Sequence, residues 1–227
     1  MLSFVSGYVD TCGFLGLYGL LTSQVTGSFV AAGAAFVHHE PGLWPKLLAM
    51  PMFVVGAAIM TLLVAVLKRQ GRNPIPPALI LVSVLIALFM AIALAERPFA
   101  SADATSVLIA AITAFIAMGA ESALVRTLFK GSVPANFMTG NVTQVAVEGT
   151  ELVLARLGLL NVGDPAADAT RAKAAAAQLK VLAPMIASFV LGTVISAHAF
   201  IAIGFWSLLL ATGLVMAAAI WSSHVET

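Results

Sequence analysis

Five stretches of this chain run for about 20 residues with almost no internal charge: Lys46 to Leu67, Ala78 to Ala95, Ser106 to Val125, Val181 to Phe200 and Ile203 to Trp221. That is the length a helix needs to cross hydrocarbon. A backbone in hydrocarbon has no water to satisfy its N–H and C=O groups, so runs of this length leave the helix as the spanning form. A sixth run, Leu2 to Leu21, has the length but carries Asp10 and several glycines. It lacks a basic leader and a small-residue cleavage site, and its features recur later in the chain, so it reads as a span and not as a signal peptide. Composition agrees, with 61% hydrophobic and 9% charged residues, where a soluble domain carries roughly a quarter charged. The expected fold class is all-α, a polytopic membrane protein whose first partner is the lipid bilayer. A net charge of +1 gives no reason to expect a nucleic-acid partner, and the single cysteine, Cys12, excludes both an intrachain disulfide and a cysteine-based metal site.

The sequence also repeats itself. Gln24-Val25-Thr26-Gly27-Ser28 is echoed by Met138-Thr139-Gly140-Asn141-Val142-Thr143-Gln144, with Thr26 and Thr139 113 residues apart. A glycine and an acid precede each Thr-Gly pair, as Gly7 with Asp10 and as Gly119 with Glu121. Further on, Pro51-Met52-Phe53-Val54-Val55-Gly56 returns as Pro184-Met185 and Phe189-Val190-Leu191-Gly192. The offset widens from 112 at the first glycine pair to 136 at the last. About two dozen residues therefore lie inserted in the second copy. Duplication on this scale is a fold signal. It predicts repeats over 1–95 and 106–221, with a soluble helical insertion at about 161–180, where Asp164-Pro165 reads as a helix start and Asn161 to Asp164 as a linker.

The pieces that carry Thr-Gly, Thr22 to Val37 and Pro134 to Glu148, are too short to span comfortably. They read either as re-entrant half-helices or as the second part of a broken helix. With re-entrant pieces, Lys68, Arg69, Arg72, Arg126, Lys130, Arg156, Arg171, Lys173 and Lys180 collect on one side and only Lys46 and Arg97 on the other. That bias predicts six transmembrane helices with both termini cytoplasmic. Broken helices keep the bias at seven against two, whereas letting all eight pieces cross gives five against six and loses it. Three crossings per half make the repeats inverted. Inverted repeats with interrupted helices are a recurring design of secondary transporters, whose breaks meet near the midplane.

Ionisable groups at membrane depth are costly and usually face a partner or a cavity, which singles out Asp10 and Glu121. Each has a structural alternative: Asp10 as a helix cap or a group near the headgroups, Glu121 as a partner of Arg126. Glycine beside a hydroxyl or amide side chain can support a helix break that binds solute, which adds Gln24, Thr26, Gly27, Thr139, Gly140, Asn141 and Gln144. The same residues also let helices pack closely. His38, His39, His198 and His224 have no spacing of a metal site, so neither a metal nor a cofactor is expected. No nucleophile motif is present and an enzyme is not expected. Trp44, Trp206 and Trp221 sit like interface anchors.

Ser6-Gly7-Tyr8-Val9-Asp10, Thr26-Gly27, the run Gly119 to Arg126 and Met138-Thr139-Gly140-Asn141 together resemble the YoaK family of bacterial membrane proteins, the DUF1275 domain, over almost the whole chain. Ser28 stands where that family has asparagine, and Gly119-Ala120-Glu121-Ser122-Ala123 where it reads close to Gly-x-Gln-Asn-Ala. The resemblance implies a multi-pass protein of the bacterial inner membrane. The function expected from the residues is a small-solute transporter or channel with its site between the two Thr-Gly breaks and Asp10 as the charged or proton-coupling residue. The alternative is a non-transporting membrane scaffold or assembly partner. A homodimer is a reasonable partner for a chain with so small an interior.

Overall fold

The computed structural model describes residues 1–129, 138–160 and 165–224. Regular structure in them is helical: α1 (Leu2–Gly16), α2 (Val25–His38), α3 (Leu43–Arg69), α4 (Ile75–Glu96), α5 (Thr105–Leu128), α6 (Met138–Arg156), α7 (Pro165–Ile203), a 3₁₀ turn (Gly204–Ser207) and α8 (Leu208–His224). The sequence explains the boundaries. Prolines occupy the first turn of α4, where their missing N–H groups would have no helical partner. Lys68 and Arg69 sit in the last turn of α3, next to its exposed carbonyls and the negative end of its dipole.

Leu43–Arg69, Ile75–Glu96, Thr105–Leu128 and the stretch Pro165–His224 are long and apolar enough to cross a membrane, and Val25–His38 is apolar but shorter. Their outward faces are apolar as well. Val30, Val54, Leu62 and Ile201 are all exposed, an arrangement that suits lipid and would be penalised in water. The chain is an all-α protein of membrane type.

Some boundaries differ from those read in the sequence. α1 stops at Gly16 and does not run on to Leu21. The helix expected to end at Lys180 and the span expected from Val181 form one rod of 39 residues, about 58 Å long. Gly204, at φ +61, interrupts the run expected to begin at Ile203, so α8 starts only at Leu208. α6 continues past Glu148 to Arg156, where Glu151 pairs with Arg171 of α7 at 2.7 Å. That hydrogen bond and charge raise the Arg171 guanidinium above its ordinary value. Lys130, Pro134, Phe137 and the linker Asn161 to Asp164 lie outside the described residues.

The helices pack as α1 on α7, α3 on α5, α4 on α5 and α8, α2 on α3, and α6 on α7. Two of these crossings are closed by glycines. A Cβ on Gly7 would strike the Phe189 carbonyl, and one on Gly192 would strike the Phe4 carbonyl, so α1 and α7 touch backbone to backbone. At α3 and α5, a Cβ on Gly56 would strike the Ile116 carbonyl and one on Gly119 the Phe53 carbonyl. The partners correspond under the duplication. Phe4 and Gly7 precede Ile116 and Gly119 by 112 residues, and Phe53 and Gly56 precede Phe189 and Gly192 by 136. α4 and α8 are joined by Ser83, whose hydroxyl donates to the Thr212 carbonyl at 3.0 Å.

Candidate functional site

The first Thr-Gly segment is positioned by a fold-back of the chain. α1 ends where Phe205 and Phe200 crowd Gly16, so closely that a Cβ there would strike the Phe205 ring. Tyr18 at φ 55 and Gly19 at φ +81 then turn the backbone around. Gly13 lets the returning strand pass, since its own Cβ would sit 2.6 Å from Thr22 Cγ2. Residues 22 and 23 are thereby delivered to Asp10, well inside α1.

The Asp10 carboxylate is 4% exposed and occupied on both oxygens. Oδ1 accepts from the Ser23 N–H at 2.7 Å and from Thr22 Oγ1 at 3.2 Å, and Oδ2 accepts from Ser23 Oγ at 2.9 Å. One turn into α2, the Ser28 hydroxyl accepts from the Leu21 N–H and donates to the Leu21 carbonyl, each at 2.9 Å. A fold-back in an apolar setting leaves backbone groups without helical partners. These two side chains satisfy them. Thr26 is exposed on the first turn of α2, and Gln24 and Gly27 are half-buried.

The second segment begins α6. Thr139, Gly140 and Gln144 are exposed, and a Cβ on Gly140 would meet nothing within 4 Å. Asn141 is buried on the opposite face. Gln144 Nε2 donates to Glu148 Oε1 at 2.7 Å, a one-turn contact within the helix. The structure does not bring the two Thr-Gly segments together: α2 lies on α3, α6 lies on α7, and among the described residues α2 and α6 do not pack on each other.

Glu121 lies on α5, 1% exposed, where α5 meets α1. Its carboxyl hydrogen-bonds the Ser6 side chain, and Oε1 has no partner among the described residues. Asp10 thus has partners on both carboxylate oxygens, and Glu121 does not. A second polar cluster sits beside them at the α1–α7 contact. Ser196 Oγ donates to the Tyr8 carbonyl at 2.7 Å, the Tyr8 hydroxyl donates to the Ser207 carbonyl at 3.0 Å, and Cys12 Sγ lies 3.2 Å and 3.3 Å from the hydroxyls of Ser196 and Ser207. Sequence reasoning did not name Ser6, Thr22, Ser23, Ser28 or Ser196 as site residues. For Ser6 and Tyr8 the signal was their place in the Ser6-Gly7-Tyr8-Val9-Asp10 run, and for Ser28 its place in the repeated Thr-Gly motif; Thr22, Ser23 and Ser196 carry none, because only the fold-back and the α1–α7 crossing give them partners.

The described surface has openings beside α5. One, about 460 Å³, lies between Ala91 to Glu96 of α4 and Thr105 to Ile109 of α5. Another, about 340 Å³, lies between α3 and α5 and is lined by Thr61, Ser122, Arg126 and Thr127 among others. Neither is lined by a Thr-Gly residue, but the second includes the neighbour of Glu121 in sequence. Among the described residues no three His, Cys, Asp or Glu side chains come together as a metal site.

Apolar helices, a polar core of buried acid and hydroxyl groups, and backbone-to-backbone crossings define a helical membrane protein. The chain belongs to the DUF1275 family, described as a protein of unknown function, whose model matches residues 1–221. No curated protein and no solved structure matches it.

Proposed function

We propose that this chain is a secondary transporter for a small solute, with six spanning helices arranged as inverted repeats over 1–95 and 106–221, in the bacterial inner membrane with both termini cytoplasmic. The observation that carries the reading is the exchange of glycine partners. α1 and α5 are equivalent by sequence, as are α3 and α7, and α1 packs on α7 through the same four positions by which α5 packs on α3. A two-fold operation generates pairs of contacts of this kind, and an odd number of crossings per half lays its axis in the membrane plane. Transporters of this design hold solute near the repeat interface, beside discontinuous helices. The fold-back at residues 17–24 supplies one discontinuity.

In this reading the solute site lies around Glu121 and Ser6, where α1 and its counterpart α5 meet. Asp10 and Ser28 hold the broken segment in place, and the exposed Thr26, Thr139 and Gly140 serve helix contacts. No bond-making step is assigned to the protein. The test is a thermal-shift screen of purified protein against small metabolites, because a solute that binds only the folded state must raise its melting temperature. A stabilising solute whose effect is lost in Glu121→Gln supports the reading. The rival, a membrane scaffold, is favoured by one observation: the open space over Gly140 beside the exposed Thr139 suits close approach of another helix. A screen without any stabilising solute, together with cross-linking of a Gly140→Cys variant to a partner helix, would favour the scaffold.

A further inference from the structure

We propose that Glu121 is the proton-binding residue of this protein and that the proton is the coupling ion; this rests on the transport reading above. An ionised carboxylate at 1% exposure with one oxygen unpartnered is a costly group to hold in a dry interior. It needs either a cation or a proton. Among the described residues, no side-chain cation acts on it. The groups that face it from α1 are the Ser6 hydroxyl, in hydrogen-bond contact, and at longer range the amino group at Met1. The ionisable side chains of α3 are Lys46, Lys68 and Arg69 at its ends, that of α4 is Glu96 at its far end, and α5 adds Arg126 beyond the next turn.

Asp10 is the contrasting case. Its carboxylate accepts three hydrogen bonds from Thr22 and Ser23, with partners on both oxygens that favour the charged form. Glu121 has no such partner at Oε1, and the Ser6 hydroxyl, which donates to the Leu2 carbonyl at 3.2 Å, lies at its carboxyl. Binding is a simple exchange: a proton adds to Oε1, an O–H bond forms, and the side chain goes from anionic to neutral; release reverses each change.

The experiment is infrared difference spectroscopy of the full chain in lipid vesicles as the pH is stepped, beside the variants Glu121→Gln, Asp10→Asn and Ser6→Ala. The expected result is a protonated-carboxyl C=O band that disappears as pH rises, is absent from Glu121→Gln, persists in Asp10→Asn, and shifts in frequency in Ser6→Ala. A band that remains in Glu121→Gln, or one present at every pH, would overturn the proposal. So would removal of the wild-type band by added Na⁺ at constant pH, which would make the site a sodium site. The pH-dependent band together with no solute-linked proton movement in the same vesicles upholds the proton site and overturns the transport reading. Solute movement without the band does the reverse.

Discussion

The glycine crossings yield a graded set of expected stabilities. A Cβ added at Gly56 would lie 2.8 Å from both C and Cα of Ile116, and one at Gly119 would lie 2.8 Å and 3.0 Å from C and Cα of Phe53. The clash is with backbone, so no side chain can swing away. Carbon atoms in ordinary contact sit about 3.5–4.0 Å apart, so α3 and α5 must separate by roughly 1 Å, a gap that forfeits a quarter to a half of each contact's attraction along the seam. Overpacking of this kind costs about 1–3 kcal/mol. At α1 and α7 the clash relaxes: the corresponding distances are 3.0 Å and 3.2 Å for Gly192, and 3.2 Å to the Phe189 carbon for Gly7. The expected order of destabilisation is Gly56→Ala and Gly119→Ala first, then Gly192→Ala, then Gly7→Ala. Gly140→Ala meets empty space and should be neutral or stabilising by up to about 1 kcal/mol, the helix-propensity gain. Gly56→Ala with Gly119→Ala should cost less than the sum of the two, because both push apart the same helix pair, whereas Gly56→Ala with Gly192→Ala should add. Thermal unfolding of purified variants in one detergent reads all of these. A Gly56→Ala protein as stable as wild type, or a Gly140→Ala protein less stable than Gly56→Ala, would refute the crossing geometry.

The fold-back makes a second expectation. In Asp10→Asn the amide oxygen can keep the Ser23 N–H and Thr22 bonds while Ser23 Oγ reverses to accept from the new N–H, so the loss should stay near 1 kcal/mol; Asp10→Leu strands a buried N–H and should cost about 2–3 kcal/mol or more in the same unfolding assay. Ser28→Ala removes the partner of both Leu21 backbone groups and should destabilise by about 1–3 kcal/mol, while Ser28→Asn, which restores a donor and an acceptor, should recover part of it. Cys12 is fully buried between Ser196 and Ser207, so a membrane-permeant maleimide should modify it slowly in the folded protein and rapidly in denaturing detergent, as read by mass spectrometry.

The runs α3, α4 and α5 were legible because each is one long apolar stretch, broken by a single acid, Glu121, in α5, and length fixes such a helix in hydrocarbon. The ends were less so. Gly16 stops α1 because two phenylalanines from the other half of the chain crowd it, and nothing local announces that. Ile203 begins an apolar run, but Gly204 takes a positive φ and shifts the start of α8 by a turn. The duplicated glycines were visible as spacing, yet their pairing was not, since Gly7 meets Phe189 and Gly56 meets Ile116 only across the exchanged crossings. For the site, the sequence pointed to both Asp10 and Glu121 and preferred Asp10 as the charged or proton-coupling residue. Their difference lies in Thr22, Ser23 and Ser6, partners brought in by a chain reversal and by an α1–α5 contact. The Thr-Gly pairs drew attention by repetition, and most of their side chains face outward.

Proton-coupled solute movement across a sealed membrane tests the transport reading most directly. Vesicles containing the purified full chain and an internal pH-sensitive dye are presented in turn with small organic acids, amino acids, nucleobases and sugars. The expected result is a protein-dependent change in internal pH with at least one of these classes, abolished in Glu121→Gln and retained in Gly140→Ala. Correctly inserted, folded protein that moves no proton with any of them would contradict it.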